Sequence, residues 1–141
     1  MKSRVGLAAG VAALAALAAG LLTAPAYAAP TVQAVDLNAD TYLTSGQGAD
    51  SCPSGRLCLY RDVNYNGGGS APILVTRSNV SYLGDYNFND AASSYYNNTS
   101  LPVVLYEHAT YGGGQLAIRS HGYGNLDSSW NDKASSLQFF S

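Results

Sequence analysis

Charge is scarce in this 141-residue chain: only 11% of residues are charged, seven Lys and Arg against nine Asp and Glu. No basic cluster stands out, which argues against nucleic acid or an anionic membrane as partner. Histidine is scarcer still. With only His108 and His121, a general base would have to be one of these or a carboxylate. There is no Gly-x-Ser-x-Gly elbow, no His-Glu-x-x-His and no phosphate-cradling loop before a helix. The chain therefore reads as not an enzyme. The only cysteines, Cys52 and Cys58, are not spaced as Cys-x-x-Cys, and zinc would need two further ligands from two histidines. Beyond the first 22 residues no apolar stripe of helical period is sustained.

The missing helical signal makes the N-terminus conspicuous. Lys2 and Arg4 precede an apolar run from Val5 to Leu22, and Ala26-Tyr27-Ala28 follows. This pattern predicts a secretory signal peptide, residues 1–28, cut after Ala28, and hence a secreted protein. The run is long enough to suggest a membrane anchor instead. The small-x-small site and the polar segment behind it favour export, with no membrane contact after cleavage. Residues 29–141 then carry five basic and nine acidic side chains. In an oxidising exterior Cys52 and Cys58 are expected to pair, closing a short loop that adds about 2 kcal/mol.

What the chain has in abundance is internal repetition. Tyr60-Arg61-Asp62-Val63-Asn64-Tyr65-Asn66-Gly67 and Tyr106-Glu107-His108-Ala109-Thr110-Tyr111-Gly112-Gly113 both read aromatic-x4-aromatic-x-Gly. Asn89-Asp90-Ala91-Ala92-Ser93-Ser94 and Asn131-Asp132-Lys133-Ala134-Ser135-Ser136 both read Asn-Asp-x-Ala-Ser-Ser. The openings stand 46 residues apart and the closings 42. Such a repeat points to two interlocked copies of one supersecondary unit. In each opening the second aromatic can pack back on the first, with the glycine expected to supply positive φ at the reversal.

Short β-like runs separated by turn signals fill both copies: Leu57 to Tyr60, Pro72 to Thr76, Val80 to Leu83 and Ser94 to Tyr96, then Val103 to Tyr106, Leu116 to Ile118, Asn125-Leu126 and Leu137 to Phe140. Four strands per copy predict an all-β, two-sheet sandwich of two Greek keys, residues 51–141, with motifs at about 52–100 and 101–141. Residues 29–50 show no sustained period and are expected as a flexible arm.

The two openings and two closings resemble the folded-hairpin and calcium signatures of βγ-crystallin domains over about residues 52–141. Chemistry supports the likeness, since calcium takes six to eight hard oxygens. Each closing offers a carboxylate (Asp90, Asp132), an amide (Asn89, Asn131) and a hydroxyl (Ser93, Ser135). The resemblance implies that backbone carbonyls of Arg61 and Glu107 complete the sites, and that Ser94 and Ser136 bond the hairpins rather than the ion. One carboxylate per site predicts weak binding, with dissociation constants of ~10⁻⁵ to 10⁻³ M. A turn of the same sequence without an ion is the competing reading.

The start Cys52-Pro53-Ser54-Gly55-Arg56-Leu57-Cys58-Leu59-Tyr60 is similar to that of secreted actinomycete domains grouped with the metalloproteinase inhibitors. That resemblance implies inhibition of an extracellular peptidase. A well-known member presents its reactive loop with a second disulfide, for which this chain has no cysteines, so no residue inherits that loop. Two other functions stay open: a toxin-like or cell-wall glycan-binding module, and a stress or structural protein stabilised by calcium. The chain is expected to act as a monomer.

Overall fold

The computed structural model describes residues 35–141, which form one compact unit. The expected signal peptide lies outside the described residues. Eight strands run in chain order: β1 Thr41–Gly46, β2 Arg56–Tyr60, β3 Ala71–Thr76, β4 Ser94–Asn98, β5 Val103–His108, β6 Gly112–Ile118, β7 Tyr123–Asn125 and β8 Ser136–Phe139. They pair antiparallel into a five-stranded sheet, β1-β3-β2-β4-β7, and a three-stranded sheet, β6-β5-β8. The all-β sandwich expected from the strand runs is present.

The two copies exchange strands. β7, from the second copy, pairs with β4 of the first, Ser94 opposite Asn125 and Tyr96 opposite Tyr123. In return, Val80 of the first copy bonds Leu137 of β8 in both directions at 3.0 Å. The expected strand from Val80 to Leu83 is thereby corrected: it shrinks to this single bridge, and Leu83–Tyr86 forms a helical turn. Leu83 is fully buried there, so its apolar character reflects a turn folded onto the core.

Leu57, Leu59, Leu74, Val103, Leu105 and Leu137 meet between the sheets, joined by Phe88 from the loop before β4. Each such side chain contributes roughly 1.5–3 kcal/mol by leaving water. A second cluster lies on the other face of the larger sheet, from Tyr42, Cys58, Tyr60, Ile73 and Val75. β2 is consequently buried along its whole length, which explains why Arg56-Leu57-Cys58-Leu59-Tyr60 shows no alternation of apolar and polar residues.

The expected flexible arm, 29–50, is corrected over its C-terminal part. Residues 41–46 are the edge strand β1, paired with β3 from Thr41 opposite Thr76 to Gly46 opposite Ala71. The following turn lies over the second cluster, where Cys52 and Cys58 form the expected disulfide. The ordering comes from partners distant in sequence. The nearly buried Arg56 guanidinium donates to the carbonyls of Ala39 (2.6 Å), Asp40 (3.1 Å) and Leu37 (3.3 Å), and stacks over the Tyr42 ring. Arg77 pairs with Asp40 at 2.8 Å, a hydrogen bond and charge that hold the Asp40 carboxyl below its usual range.

Tyr60 is wholly enclosed, and its hydroxyl donates to the Gly48 carbonyl at 3.1 Å. Burial pushes its phenol up to about 12, and burial also raises Tyr65, packed edge-on against it. A phenol raised above its unfolded value of ~10 stabilises the fold fully below that pH and loses the contribution as pH climbs towards 12. The free energy of unfolding, measured by urea titration, should therefore fall between pH 10 and 12. Tyr60→Phe should flatten that fall while losing about 1 kcal/mol at neutral pH with the Gly48 bond. An unchanged alkaline slope would remove Tyr60 as its source.

Candidate functional site

Each repeated opening folds back on itself through consecutive residues of positive φ. In the first copy these are Asn64 (φ 53°), Tyr65 (φ 56°) and Asn66 (φ 60°), and in the second Thr110 (φ 56°) and Tyr111 (φ 61°). Glycine was expected to carry this conformation. Gly67 instead sits at φ −62°, and only Gly113 is left-handed at φ 77°. Left-handed geometry costs a non-glycine residue roughly 1–2 kcal/mol, so other contacts must hold it. Ring packing supplies one, Tyr60 on Tyr65 at 5.4 Å and Tyr106 on Tyr111 at 5.7 Å between centroids.

The last serine of each closing supplies the other. Ser94 Oγ accepts from the Tyr65 N–H at 3.0 Å and donates to the Asp62 carbonyl at 2.6 Å. Ser136 Oγ accepts from the Tyr111 N–H at 3.0 Å and donates to the His108 carbonyl at 2.6 Å. Both serines are fully buried and bond the hairpins, the role implied for them.

The closing turns are placed by reciprocal bonds. Asp90 N–H donates to the Ala134 carbonyl at 3.0 Å, and Asp132 N–H to the Ala92 carbonyl at 2.9 Å. Ser93 N–H bonds Tyr60 and Ser135 N–H bonds Tyr106, each at 2.8 Å. Asp90 and Asp132 occupy the same left-handed conformation, φ 51° and 58°. This exchange swaps the side chains: Ser93 Oγ donates to Asp132 Oδ1 at 3.3 Å, and Ser135 Oγ to Asp90 Oδ1 at 3.2 Å. The sequence-based grouping, each closing with its own carboxylate and hydroxyl, is thus corrected. Strand exchange places the turns face to face, and each hydroxyl meets the other copy's aspartate.

Two cavities result. One, about 360 Å³, is lined by Arg61, Asp62, Asn89, Asp90, Ser93 and Asp132. The other, about 260 Å³, is lined by Glu107, Ser135, Asp90 and Asp132, with His108 and Lys133. Arg61 lines the first of these cavities and Glu107 the second. Asn131 is differently used: its amide donates to Asp132 Oδ2 at 3.0 Å. Asp62 and His108, one position beyond Arg61 and Glu107, were not foreseen as lining residues, although their equivalent places in the repeat are visible in hindsight.

The donors suit a hard cation. Asn89 lines the larger of the two cavities, and its Oδ1 is buried with no hydrogen-bond partner, an acceptor that a cation would satisfy. Among the described residues no three His, Cys, Asp or Glu side chains cluster at ligating distance. Any ion here would rest chiefly on neutral oxygens, the chemistry of calcium rather than zinc.

Residues 46–119 match the sequence model described as peptidase inhibitor family I36, more than half of the chain. The chain belongs to that family. Among solved structures, one determined for the evolution of the eye lens βγ-crystallin domain fold superposes with a TM-score of 0.59, at 19% identity, covering 70% of this chain and 97% of its own. A double-mutant βγ-crystallin domain from Clostridium beijerinckii gives 0.51 at 25% identity, covering 60% and 96%. A βγ-crystallin from Ciona intestinalis gives 0.50 at 25%, covering 61% and 100%. No curated protein matches the sequence. The fold is thus that of the βγ-crystallins, and membership of an inhibitor family makes the I36 chain non-enzymatic.

Removing either hairpin serine strands a buried N–H at a left-handed tyrosine. Ser94→Ala and Ser136→Ala should each cost about 1–3 kcal/mol in urea denaturation. Losses under about 0.5 kcal/mol would show that ring packing alone holds the hairpins.

Proposed function

We propose that this protein is a secreted, monomeric inhibitor of an extracellular peptidase whose two Greek keys are fastened by two calcium ions. Family membership supports the inhibitory half. The crossed placement of Asp132 with Ser93 and of Asp90 with Ser135, beside the unpartnered Asn89 Oδ1, supports the calcium half. Each ion would join residues of both copies, so binding would resist their separation. Arg61 and Asn89 would serve the first site, Glu107 the second. An ion that binds only the folded form adds about 2.7 kcal/mol at a hundredfold excess over its dissociation constant.

A thermal melt in calcium against chelator tests the metal. Calcium should raise the melting temperature, and Asp90→Ala and Asp132→Ala should each remove part of the rise. Because Ser93 Oγ bonds Asp132 Oδ1, Asp132→Ala and Ser93→Ala should act non-additively. Identical melts in both solutions would reject calcium binding.

The inhibitory half is tested with a panel of metallo- and serine endopeptidases, of which at least one should be inhibited. One observation favours a second reading. Tyr65, Tyr96 and Tyr123 line a cavity of about 240 Å³ with Ala49 and Asp50, and Tyr123 is 67% exposed. Aromatic faces beside a carboxylate suit a sugar ring, so retention on chitin or glucan without inhibition of any peptidase would favour cell-wall binding.

A further inference from the structure

Resting on the inhibitor reading above, we propose that the linker between the two motifs, Asn97 to Pro102, is the segment that enters the peptidase cleft, with Leu101 as its apolar anchor. An inhibitory loop must be exposed at its tip yet held in one conformation, since ordering it on binding would cost affinity. This linker meets both demands. Ser100, Leu101 and Pro102 are exposed, Leu101 by 37%. Beneath them Asn97 is fully buried and Thr99 nearly so.

The two buried side chains tie the loop's backbone. Asn97 Nδ2 donates to the Leu101 carbonyl at 2.8 Å and to the Arg119 carbonyl at 3.0 Å. Asn97 Oδ1 accepts from the Thr99 N–H at 3.2 Å and from its hydroxyl at 2.7 Å. Leu101 N–H donates to Thr99 Oγ1 at 3.1 Å. Neighbouring elements brace the flanks. Gly55 N–H bonds the Asn98 carbonyl, His121 N–H bonds that of Thr99, and Phe140 N–H bonds that of Pro102. Asn98 Nδ2 donates to the Cys52 carbonyl at 3.1 Å, so the disulfide supports the loop from outside it. Stiffness that a second disulfide would supply is here provided by a buried amide.

The surroundings describe the partner. Leu101 stands near Phe140, another exposed apolar side chain, 41% accessible, whose backbone bonds the loop. A cavity of about 410 Å³ runs alongside, lined by Leu101, Phe139, His121 and Arg77. The exposed Arg119 bonds Asn97 through its carbonyl. Such a surface fits an endopeptidase with a specificity pocket for a branched apolar side chain and carboxylates at the rim.

Position separates this surface from the cation sites. Ser94, bonded to the first hairpin, and Asn98 stand at opposite ends of β4, roughly 13 Å apart at 3.3 Å per residue. Calcium should therefore act on inhibition only through stability.

The test starts from the peptidase that wild type inhibits best in the panel. Leu101→Glu leaves every backbone bond of the loop in place. It should raise the inhibition constant about tenfold or more, as loss of a central anchor does, with an unchanged melting temperature. Val63→Ser, at another exposed apolar site (49% accessible) in the first hairpin, should leave inhibition unchanged. Asn97→Ala, a change in a positioning residue, should weaken inhibition and let the peptidase cut between residues 99 and 102, read by mass spectrometry. Chelation below the melting temperature should leave the wild-type inhibition constant as it was. Wild-type inhibition that Leu101→Glu does not weaken overturns the loop assignment and leaves the inhibitor reading standing. A wild type that inhibits nothing in the panel overturns both.

Discussion

Neither copy of the repeat can satisfy its own closing turn. The Asp90 N–H finds its acceptor on Ala134 and the Asp132 N–H finds its acceptor on Ala92, so each turn completes the other. The same reciprocity joins β7 to β4 and Val80 to Leu137. A backbone N–H left unpaired away from water costs about 1–3 kcal/mol, so two half-formed copies are penalised together and the pair folds as one.

From that exchange follow the strain and the chemistry. Tyr65 and Tyr111 keep left-handed backbones because a buried serine hydroxyl takes each N–H and donates to a carbonyl of the same hairpin. Asp90 and Asp132 keep theirs because the partner turn holds them. Two aspartates and two serine hydroxyls are thereby gathered in a small region lined also by Arg61, His108 and Lys133. A cation placed there would satisfy Asn89 Oδ1. The opposite end of β4 carries the stiffened linker, so the proposed cation sites and the proposed recognition loop lie at different ends of that strand.

Much of this was legible in the residues. The duplicated openings and closings identify the hairpins, the turns and the paired aromatics, because those features depend on local spacing and residue type. The disulfide was legible from two cysteines in a chain expected to be exported. The edge strand β1 was not, since Thr41 to Gly46 lacks a period of its own and is ordered by Arg56, Arg77 and Thr76, up to 36 residues further along. Val80 was misread as the start of a strand for a related reason: its partner Leu137 lies on the far side of the second copy.

Residue order alone determined that there are two like units and that each offers one carboxylate, one amide and hydroxyls. Those facts concern chemistry carried within a dozen residues. Tertiary structure decided which aspartate meets which serine, that Thr41–Gly46 is part of a sheet, and that the linker is braced from below by Asn97. The reason is physical. Hydrogen bonds between segments far apart in the chain are selected by the packing of both sheets at once, and a repeat of identical motifs carries no local mark of whether its parts pair within a copy or across the two.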